Sequence, residues 1–300
     1  MYDNSSKGIS YGAGFFMLIA FAAGALLIVG VLSGPLFTAM TGKSAQVLIN
    51  STEGPEDSTA LKVLQAINSI IGFLIPALAT AFMLNRKPMR LLGFTGPIKR
   101  DQAGLVVLIV GASLMTSTAF TYFNYHLPIP DAWHTKFQKL EDVYNDRVQI
   151  IVSMKGPTDY IIALVIMGFL PALCEEAFFR GGLQNFLSRS TQKPWLSIII
   201  VSLIFSVAHF SFFGFLPRLF LGIVLGALYY YSGKLWLSIL AHFLNNAVAL
   251  TVLYAYMQQG KSIQEANKTP TTWWTIVILP VVIGLFIVYK RISATDKRLT

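Results

Sequence analysis

The chain has 300 residues, of which 54% are hydrophobic and only 12% are charged. Soluble domains carry about 25% charged residues, so this composition excludes an ordinary soluble domain and indicates an integral membrane protein. The net charge of +9 does not indicate nucleic-acid binding, because the basic residues stand in short loops between apolar runs, as in membrane proteins that follow the positive-inside rule. The single cysteine, Cys174, excludes an internal disulfide.

Apolar runs long enough to cross a bilayer, which takes about 20 residues, recur along the whole chain. They predict an all-α, polytopic transmembrane helix bundle of about eight spans, at 12–40, 62–84, 103–127, 158–187, 195–211, 216–232, 235–256 and 271–289. The first run is too long for one straight crossing, and we expect Gly34-Pro35 to bend or end it. Gly214 and Pro217 predict a tight turn between the short fifth and sixth spans.

The distribution of lysine and arginine predicts the orientation of the spans. With eight spans, 13 of the 23 basic residues fall on the side of both termini and 9 fall on the other side, while Arg180 lies within a span. The side richer in basic residues is expected to be cytoplasmic. Both termini are therefore predicted to be cytoplasmic.

The segment 128–157 mixes charged residues with apolar ones at helical spacing, namely Trp133, Phe137, Leu140 and Val143. This pattern fits an amphipathic helix at the outer membrane interface. A solvated loop helix fits it equally well.

Two smaller patterns concern anchoring and packing. Trp236 and the pair Trp273-Trp274 are typical of side chains at the membrane interface. Gly222 and Gly226 form a small-xxx-small face, which favours close packing within the bundle over dimerisation.

Glu175 and Glu176 lie well inside an apolar span, in the stretch ALCEEAFFRGG at 172–182. A charge near the bilayer centre costs about 2.5–3.5 kcal/mol on insertion scales, so such residues usually face a cavity and mark function. Glu176 and Arg180 stand four residues apart with the acid first, which favours an ion pair on one helical face. This pair can support a site or simply hold helices together. Glu175 points about 100° away around the helix and is expected to remain available as a general base.

Two of the four histidines, His209 and His242, also lie within predicted spans. A lone buried histidine is usually a packing residue, but two of them with an unpaired glutamate on nearby spans indicate a functional site. Asn246 shares a helical face with His242, and Asn245 is a weaker competitor for that face. The other two histidines are assigned no role because they fall at a span end and in a loop, at His126 and His134.

The predicted span boundaries place these residues at different membrane depths. Glu175 and His242 come out near the cytoplasmic side, whereas His209 comes out deeper. At about 1.5 Å of rise per residue, a shared site requires tilted helices or boundaries several residues away from those predicted.

A carboxylate, two imidazoles and a carboxamide suit the activation of a water molecule. The carboxylate of Glu175 can act directly as the base, or a bound divalent metal can activate the water. Asn246 can donate a hydrogen bond to a developing oxyanion. The sequence contains no HExxH zinc motif, no GxSxG elbow and no glycine-rich phosphate loop. The residues therefore predict hydrolysis of an amide bond within or at the membrane.

Three motifs, in order and in successive predicted spans, resemble those of the CPBP family. This family comprises the type II CAAX prenyl endopeptidases and the bacteriocin-processing or immunity proteins, also called Abi. Its motif EExxxR is met at 175–180, FxxxH at 205–209 and HxxxN at 242–246. The resemblance extends over about 170–250.

The resemblance implies a CAAX-type intramembrane protease, either a glutamate or a metallo endopeptidase. It implies that Glu175 and His209 activate the water and that His242 and Asn246 stabilise the oxyanion. The supporting residues would be Glu176, Arg180 and Phe205.

Cofactor and substrate stay open at this point. One alternative is zinc held by Glu175, His209 and His242, and the other is a metal-independent mechanism. The long sequence intervals between these three residues carry no metal-specific signature. The implied substrate is a membrane peptide or protein, with or without a lipid such as that of a prenylated CAAX box. The expected partners are this substrate and the lipid bilayer, and the expected location is a bacterial inner (plasma) membrane.

The chain is accordingly divided into three parts. They are N-terminal spans with the interfacial loop (1–157), a catalytic core that carries the three motifs (158–256), and a final span with a basic cytoplasmic tail (257–300). Two other functions remain open. A non-enzymatic immunity or scaffold protein of the same fold would retain the motifs, and a transporter or proton relay also uses intramembrane Glu and His. The sequence lacks the paired Gly/Pro-interrupted spans typical of transporters.

Overall fold

The computed structural model describes residues 5–154, 156–261 and 272–299. Helices make up 83% of the structure and no strand occurs in those ranges, which confirms the predicted all-α fold. The predicted division into three parts stays a prediction. Residues 262–271 lie outside the described residues. They include most of the loop in the predicted part 257–300 and residue 271, where the last predicted span begins.

Nine helices form the described framework. They are α1 Tyr11–Thr41, α2 Pro55–Leu84, α3 Arg100–Tyr125, α4 Asp131–Ile151, α5 Pro157–Thr191, α6 Pro194–Val207, α7 Phe215–Ser232, α8 Leu235–Gln258 and α9 Trp273–Ala294, whose helical backbone continues to Leu299. Two short helices lie in the connections, at Gln46–Asn50 and Pro88–Leu92.

Seven of these helices, all except α4 and α6, are long and apolar enough to cross a bilayer. The helix α6 is apolar but has only 14 residues. At 1.5 Å per residue it is about 21 Å long, which is less than the hydrocarbon core of about 30 Å. The prediction of about eight spans therefore corresponds to seven long helices and one short one.

The proline in α1 does not end that helix, contrary to one of the two outcomes expected for Gly34-Pro35. The helix continues to Thr41 and stops at Gly42, whose φ of 71° places it in the left-handed region. Glycine adopts this conformation without steric cost, and its N–H reaches the carbonyl of Thr38 at 2.8 Å. Membrane helices tolerate an internal proline because neighbouring groups and local adjustments satisfy the freed backbone groups.

The helices α2 and α5 each contain a π-helical turn just before a proline. Ile70–Leu74 precedes Pro76 in α2, and Leu164–Phe169 precedes Pro171 in α5. Because the proline ring clashes with the carbonyl four residues earlier, a wider turn relieves the crowding at this point. A second π segment in α5, Ala177–Gln184, starts directly after the two glutamates.

Gly222 and Gly226 of α7 pack closely against neighbouring helices of the same chain. A Cβ atom on Gly222 would lie 2.8 Å from the Cβ of Ser202 in α6, and one on Gly226 would lie 2.7 Å from Oε1 of Gln184 in α5. Gln184 Nε2 also donates to the carbonyl of Gly226 at 2.9 Å. The glycine face therefore serves packing within the bundle, as predicted.

Two large apolar clusters hold the helices together, and a smaller third one lies between α5 and α8. One of the two large clusters joins α1, α2, α5 and α6 through residues such as Leu18, Leu84 and Phe179. The other joins α3, α7, α8 and α9 through residues such as Val106 and Leu225. The helices α7 and α8 contribute to both clusters, and their position between the two halves brings α8 next to the glutamates of α5.

The segment predicted to be an amphipathic helix is helical over most of its length, as α4. Trp133, Leu140 and Val143 are exposed, while Phe137 stacks on Phe212 with ring centroids 4.4 Å apart. The helix is therefore fixed beside the 208–214 loop, which connects α6 to α7. Its place at a membrane interface stays a prediction.

Candidate active site

Glu176 is completely buried and its carboxylate has three side-chain partners. Arg180 donates from Nη1 to Oε1 at 2.6 Å, so the predicted pairing of these two residues is confirmed. His242 Nδ1 lies 2.9 Å from the same oxygen, and the hydroxyl of Ser238 donates to Oε2. A buried charge is tolerated only when it is paired and hydrogen-bonded, and Glu176 meets that requirement fully.

Arg180 is held in place from the opposite side by α7 and α6. Its Nη2 donates to the carbonyl of Gly222 at 3.3 Å, and its Cζ lies 4.6 Å from the ring centroid of Phe205. The side chain is 1% exposed. Because Gly222 has no side chain, the guanidinium reaches the backbone of α7 directly. Arg180 thus links three helices around Glu176.

Glu175, which precedes Glu176 in the chain, has a different environment. Its side chain is half-buried, and its Oε2 atom is buried without a hydrogen-bond partner among the described residues. Arg180 does not supply one, because its Nη1 donates to Glu176 and its Nη2 to the carbonyl of Gly222. Helical geometry thus separates two adjacent glutamates into a paired one and an unpaired one.

His209 does not lie within a helix, which corrects the predicted span 195–211. The helix α6 ends at Val207, His209 is in the turn that follows, and Phe210 has a left-handed φ of 51°. His209 Nδ1 is 2.7 Å from the carbonyl oxygen of Phe205. Because a carbonyl only accepts, Nδ1 carries the proton, and Nε2 of the neutral ring keeps its lone pair.

The 208–214 loop that holds His209 is fixed by Asn124 of α3. Asn124 Nδ2 donates to the carbonyl of Phe212 at 2.8 Å, and its Oδ1 accepts from the N–H of Leu216 at 2.9 Å. Ser211 donates to Glu141 of α4 at 2.7 Å. Asn124 was not among the residues expected from the sequence, although a carboxamide inside an apolar run is a signal of a specific hydrogen-bonding role.

The ring of Phe205 lies between the two intramembrane histidines. Its centroid is 4.8 Å from that of His209 and 5.8 Å from that of His242, in edge-to-face arrangements. Phe205 also contacts Arg180, so residues of all three motifs converge around one aromatic ring. The predicted difference in depth therefore does not keep these residues apart.

His242 and Asn246 occupy the same face of α8, as predicted. His242 is buried, and its Nε2 has no hydrogen-bond partner among the described residues. Asn246 uses one N–H to donate to the carbonyl of Gly168 at 3.3 Å, so its second N–H is available. Asn245 instead lines a small cavity with residues of α3 and α7, such as Ser113. Within the described part of the chain, its one hydrogen bond to the site runs from Nδ2 to Asn246 Oδ1 at 3.3 Å.

Besides Asn124, two polar residues near the site were not among those expected from the sequence. Ser238 stands one helical turn before His242, so the spacing SxxxH was a signal that both share a face. Arg218 lies in the first turn of α7, where a cation is unfavourable next to the helix dipole. Its Nη1 is buried without a hydrogen-bond partner among the described residues, and its charge acts on His209 through space.

The two histidines that were assigned no role make packing contacts. His126 stacks on Tyr122 and bonds to its carbonyl at 2.8 Å, and His134 packs edge-on against Phe213.

The described residues do not form a metal site with three His, Cys, Asp or Glu ligands. Within 5–154, 156–261 and 272–299, no group of three or more such side chains could hold a metal ion. This includes the zinc ligands considered from the sequence, which were Glu175, His209 and His242. No step proposed below uses a metal.

Residues 157–248 match the family described as type II CAAX prenyl endopeptidase Rce1-like. The matched part of the chain comprises α5, α6, α7 and the first part of α8, contains all three motifs and is consistent with the CPBP family. No curated protein and no solved structure matched the chain.

The family match supports three general conclusions about the protein. It supports intramembrane CAAX protease activity and a membrane-associated peptide substrate. Together with the seven long apolar helices, it also supports an integral membrane location.

Proposed function

We propose that the protein is an endopeptidase that hydrolyses a peptide bond of a membrane-associated substrate with a water molecule activated by Glu175 and His209. The contrast between two adjacent carboxylates carries this proposal. Glu176 has three side-chain partners, whereas a buried oxygen of Glu175 has none among the described residues. A buried polar atom without a partner destabilises the fold, and in native proteins it commonly marks a bound water or a catalytic role.

The attacking water is proposed to lie between Glu175 and His209. The Nε2 lone pair of neutral His209 accepts one hydrogen bond from the water, and the carboxylate of Glu175 takes the other proton as the water oxygen attacks the carbonyl carbon. A new C–O bond forms, the carbonyl becomes an oxyanion, and Glu175 becomes a neutral carboxylic acid.

The oxyanion is proposed to be stabilised from α8. His242 Nδ1 lies 2.9 Å from the buried carboxylate of Glu176, and this contact fixes the orientation of the ring. The Nε2–H of this ring and the second N–H of Asn246 are the donors assigned to the oxyanion. Fixed donors of this kind contribute about 10²–10³-fold to kcat each. Glu176 therefore acts as a positioning residue, through His242.

In the last step Glu175 returns its proton to the leaving nitrogen. The C–N bond breaks, the carbonyl re-forms, and the products are a carboxylic acid and an amine. Glu175 is again a carboxylate and is ready for the next water molecule. One carboxyl group thus acts first as base and then as acid, so a single unpaired glutamate is sufficient for the proton transfers.

The substrate is proposed to be a peptide that ends in a CAAX box and carries a lipid that holds it in the bilayer. The support for this choice is the family match over α5 to α8. The orientation proposed from the basic residues places both termini in the cytoplasm of a bacterial cell. An impermeant thiol reagent can test the orientation with a cysteine added at either terminus, because the native Cys174 is buried and its labelling serves as the blank.

Peptide cleavage in proteoliposomes tests the proposed activity. The full chain is incubated with a farnesylated CAAX peptide and with its lipid-free counterpart, and the products are identified by mass spectrometry. In H₂¹⁸O we expect one ¹⁸O atom in the new carboxyl terminus. Glu175→Gln is expected to stop cleavage, whereas Glu56→Gln, a control at an exposed glutamate outside the site, is expected to retain it.

The outcomes separate the alternatives. Full cleavage by a folded Glu175→Gln variant would refute the proposed base. No cleavage of either peptide by intact protein would favour a non-enzymatic scaffold of the same fold. Activity that is lost with a chelator and restored by zinc would show that a metal takes part, whereas the proposed mechanism expects no effect of the chelator.

A further inference from the structure

A polar cavity of about 440 Å³ lies at one end of the helix bundle, apart from the residues of the candidate active site. It forms where the N-terminal segment, the connection between α2 and α3, the end of α5 and the turn between α7 and α8 meet. Its polar lining consists mainly of Asn85, Lys87, Arg90, Thr95 and Arg189.

The wall of this cavity is held by hydrogen bonds between segments that are distant in sequence. Asn185 Nδ2 of α5 donates to the carbonyl of Leu91 at 2.6 Å, and the N–H of Leu235 in α8 donates to the carbonyl of Gly93 at 2.8 Å. Thr95 Oγ1 donates to the carbonyl of Gly233 at 3.2 Å. The cavity is therefore pre-formed, so a ligand loses little affinity to reorganisation of the wall.

Three cations face this cavity, namely Lys87, Arg90 and Arg189, and its lining has no acidic residue among the residues that the structure describes. The ammonium of Lys87 and the guanidinium of Arg90 form no ion pair with the described residues. Arg189 uses Nε to reach Asn185 at 2.8 Å and Nη1 to reach the hydroxyl of Tyr11 at 3.3 Å, both neutral groups. Three like charges around one cavity repel each other, and a bound anion relieves this repulsion.

The location of the cavity indicates where the anion comes from. The cavity adjoins the ends of α2, α5 and α7 and the start of α8, so it lies level with one membrane surface. Two exposed apolar side chains, Met89 and Trp236, stand beside its wall, and Trp236 packs edge-on against Phe94 at 5.2 Å. Exposed tryptophan at a helix end is typical of the level of lipid headgroups.

We propose that this cavity binds the phosphate headgroup of an anionic phospholipid, with the acyl chains along the apolar side chains beside it. Arginine matches phosphate oxygens with two parallel N–H groups, and lysine adds a point charge. The side of the membrane predicted to be cytoplasmic is also the side on which basic pockets between helices meet anionic headgroups.

Binding of phosphatidylglycerol to the full chain in detergent tests the proposal. Native mass spectrometry and lipid-dependent thermal stabilisation report the affinity, because a ligand that binds only the folded state raises the apparent stability. A triple variant, Lys87→Gln with Arg90→Gln and Arg189→Gln, removes the cavity charges. The matched control is Arg86→Gln with Arg100→Gln and Lys193→Gln, which removes three exposed cations at the same end of the bundle.

We expect the affinity for phosphatidylglycerol to fall about 5-fold for each cavity charge removed, or about 100-fold in the cavity triple. The control triple is expected to lose severalfold less affinity for phosphatidylglycerol. Equal losses of affinity in both triples would show that the effect comes from general surface charge and would overturn the proposal. If the triple does not fold, Arg90→Gln alone is compared with Arg86→Gln, with the same expectation for one charge.

A second arm separates the lipid from free phosphate. Inorganic phosphate alone is expected to stabilise the protein only at much higher concentration than phosphatidylglycerol. Equal potency of the two would assign the cavity to a soluble phosphate and overturn the lipid proposal. Phosphatidylcholine, which has a phosphate but no net charge, is expected to bind more weakly than phosphatidylglycerol.

Discussion

Glu175 and Glu176 are neighbours in the chain but belong to two regions with opposite physical states. Around Glu176, three side chains from α5 and α8 complete the hydrogen bonds of a fully buried carboxylate. Around Glu175 and His209, a carboxylate oxygen and an imidazole nitrogen have no partner within the described residues. We call the first the paired cluster (Glu176, Arg180, Ser238, His242) and the second the open cluster (Glu175, His209).

This difference shows that α5 contributes both to the stability of the fold and to the proposed chemistry. The carboxylate of Glu176 is fully partnered within the paired cluster, so removal of a partner leaves buried charge uncompensated, and the fold depends on these contacts. The groups of the open cluster have nothing to satisfy them in the resting protein, so they are ready for water and substrate. Mutations in the two clusters should therefore differ in their effect on the fold, with stability lost in the paired cluster, whose His242 is also an oxyanion donor, and activity lost without loss of stability in the open one.

The largest separation is expected between Glu175→Gln and Glu176→Gln. The first should reduce cleavage by about 10²–10⁴-fold, because the amide can no longer take and return the proton. Its thermal stability should stay equal to that of the wild type, since no partner is lost. The second should lower stability, because Arg180 is left as a buried charge without a counter-charge. Cleavage assays and thermal unfolding in the same detergent measure both, and a large stability loss in Glu175→Gln would contradict the comparison.

Arg180→Ala should have the next largest effect, this time on the fold. Removal of one partner of a buried ion pair costs about 3–5 kcal/mol, because the other charge is left buried and unpaired. Denaturant or thermal unfolding of the purified protein gives the change. Arg86→Ala is the control, because Arg86 is exposed and far from the site, and its effect should stay within about 0.5 kcal/mol. Equal effects of the two substitutions would mean that the buried pair does not support the fold.

Asn246→Ala compared with Asn245→Ala tests the part of the site that lies on α8. If Asn246 donates to the oxyanion, its loss should lower kcat about 10²–10³-fold with little change in KM, because that bond exists only in the transition state. Asn245 faces the cavity near Ser113 and should affect kcat much less. A raised KM with unchanged kcat in Asn246→Ala would instead assign this residue to substrate binding.

Much of the fold was predictable because lipid-facing helices need long apolar runs, and such runs are visible in the sequence. The end of α6 was not predictable from hydropathy. Phe210, Phe212 and Phe213 continue the apolar run after the helix has stopped at Val207, so a hydropathy window sees no boundary. The stop depends on the left-handed φ of Phe210 and on hydrogen bonds from Asn124, which is distant in sequence.

The site was predictable where it depends on one helix and unpredictable where it depends on several. The pairing of Glu176 with Arg180 follows from a spacing of four residues. The bonds from Ser238 and His242 to Glu176 arise from the packing of α8 against α5, and no local pattern specifies that packing. Even the backbone around the glutamates is not distinctive. The stretch Ile75-Pro76-Ala77-Leu78 in α2 follows a π turn as Leu170-Pro171-Ala172-Leu173 does in α5, yet only the second leads into acidic residues.

The smallest effect is expected for Ser238→Ala, within the paired cluster. The substitution removes one donor from the buried Oε2 of Glu176, and a buried acceptor that loses its partner costs about 1–3 kcal/mol. Because Arg180 and His242 still hold Oε1, the loss of stability should be smaller than in Arg180→Ala, and cleavage should persist. Ser33→Ala is the control, since that hydroxyl only bonds to the carbonyl of Val29 in its own helix and its removal should cost little. If Ser238→Ala is as stable as Ser33→Ala, the hydroxyl does not share in holding Glu176, and the stability of the paired cluster rests on its charged members alone.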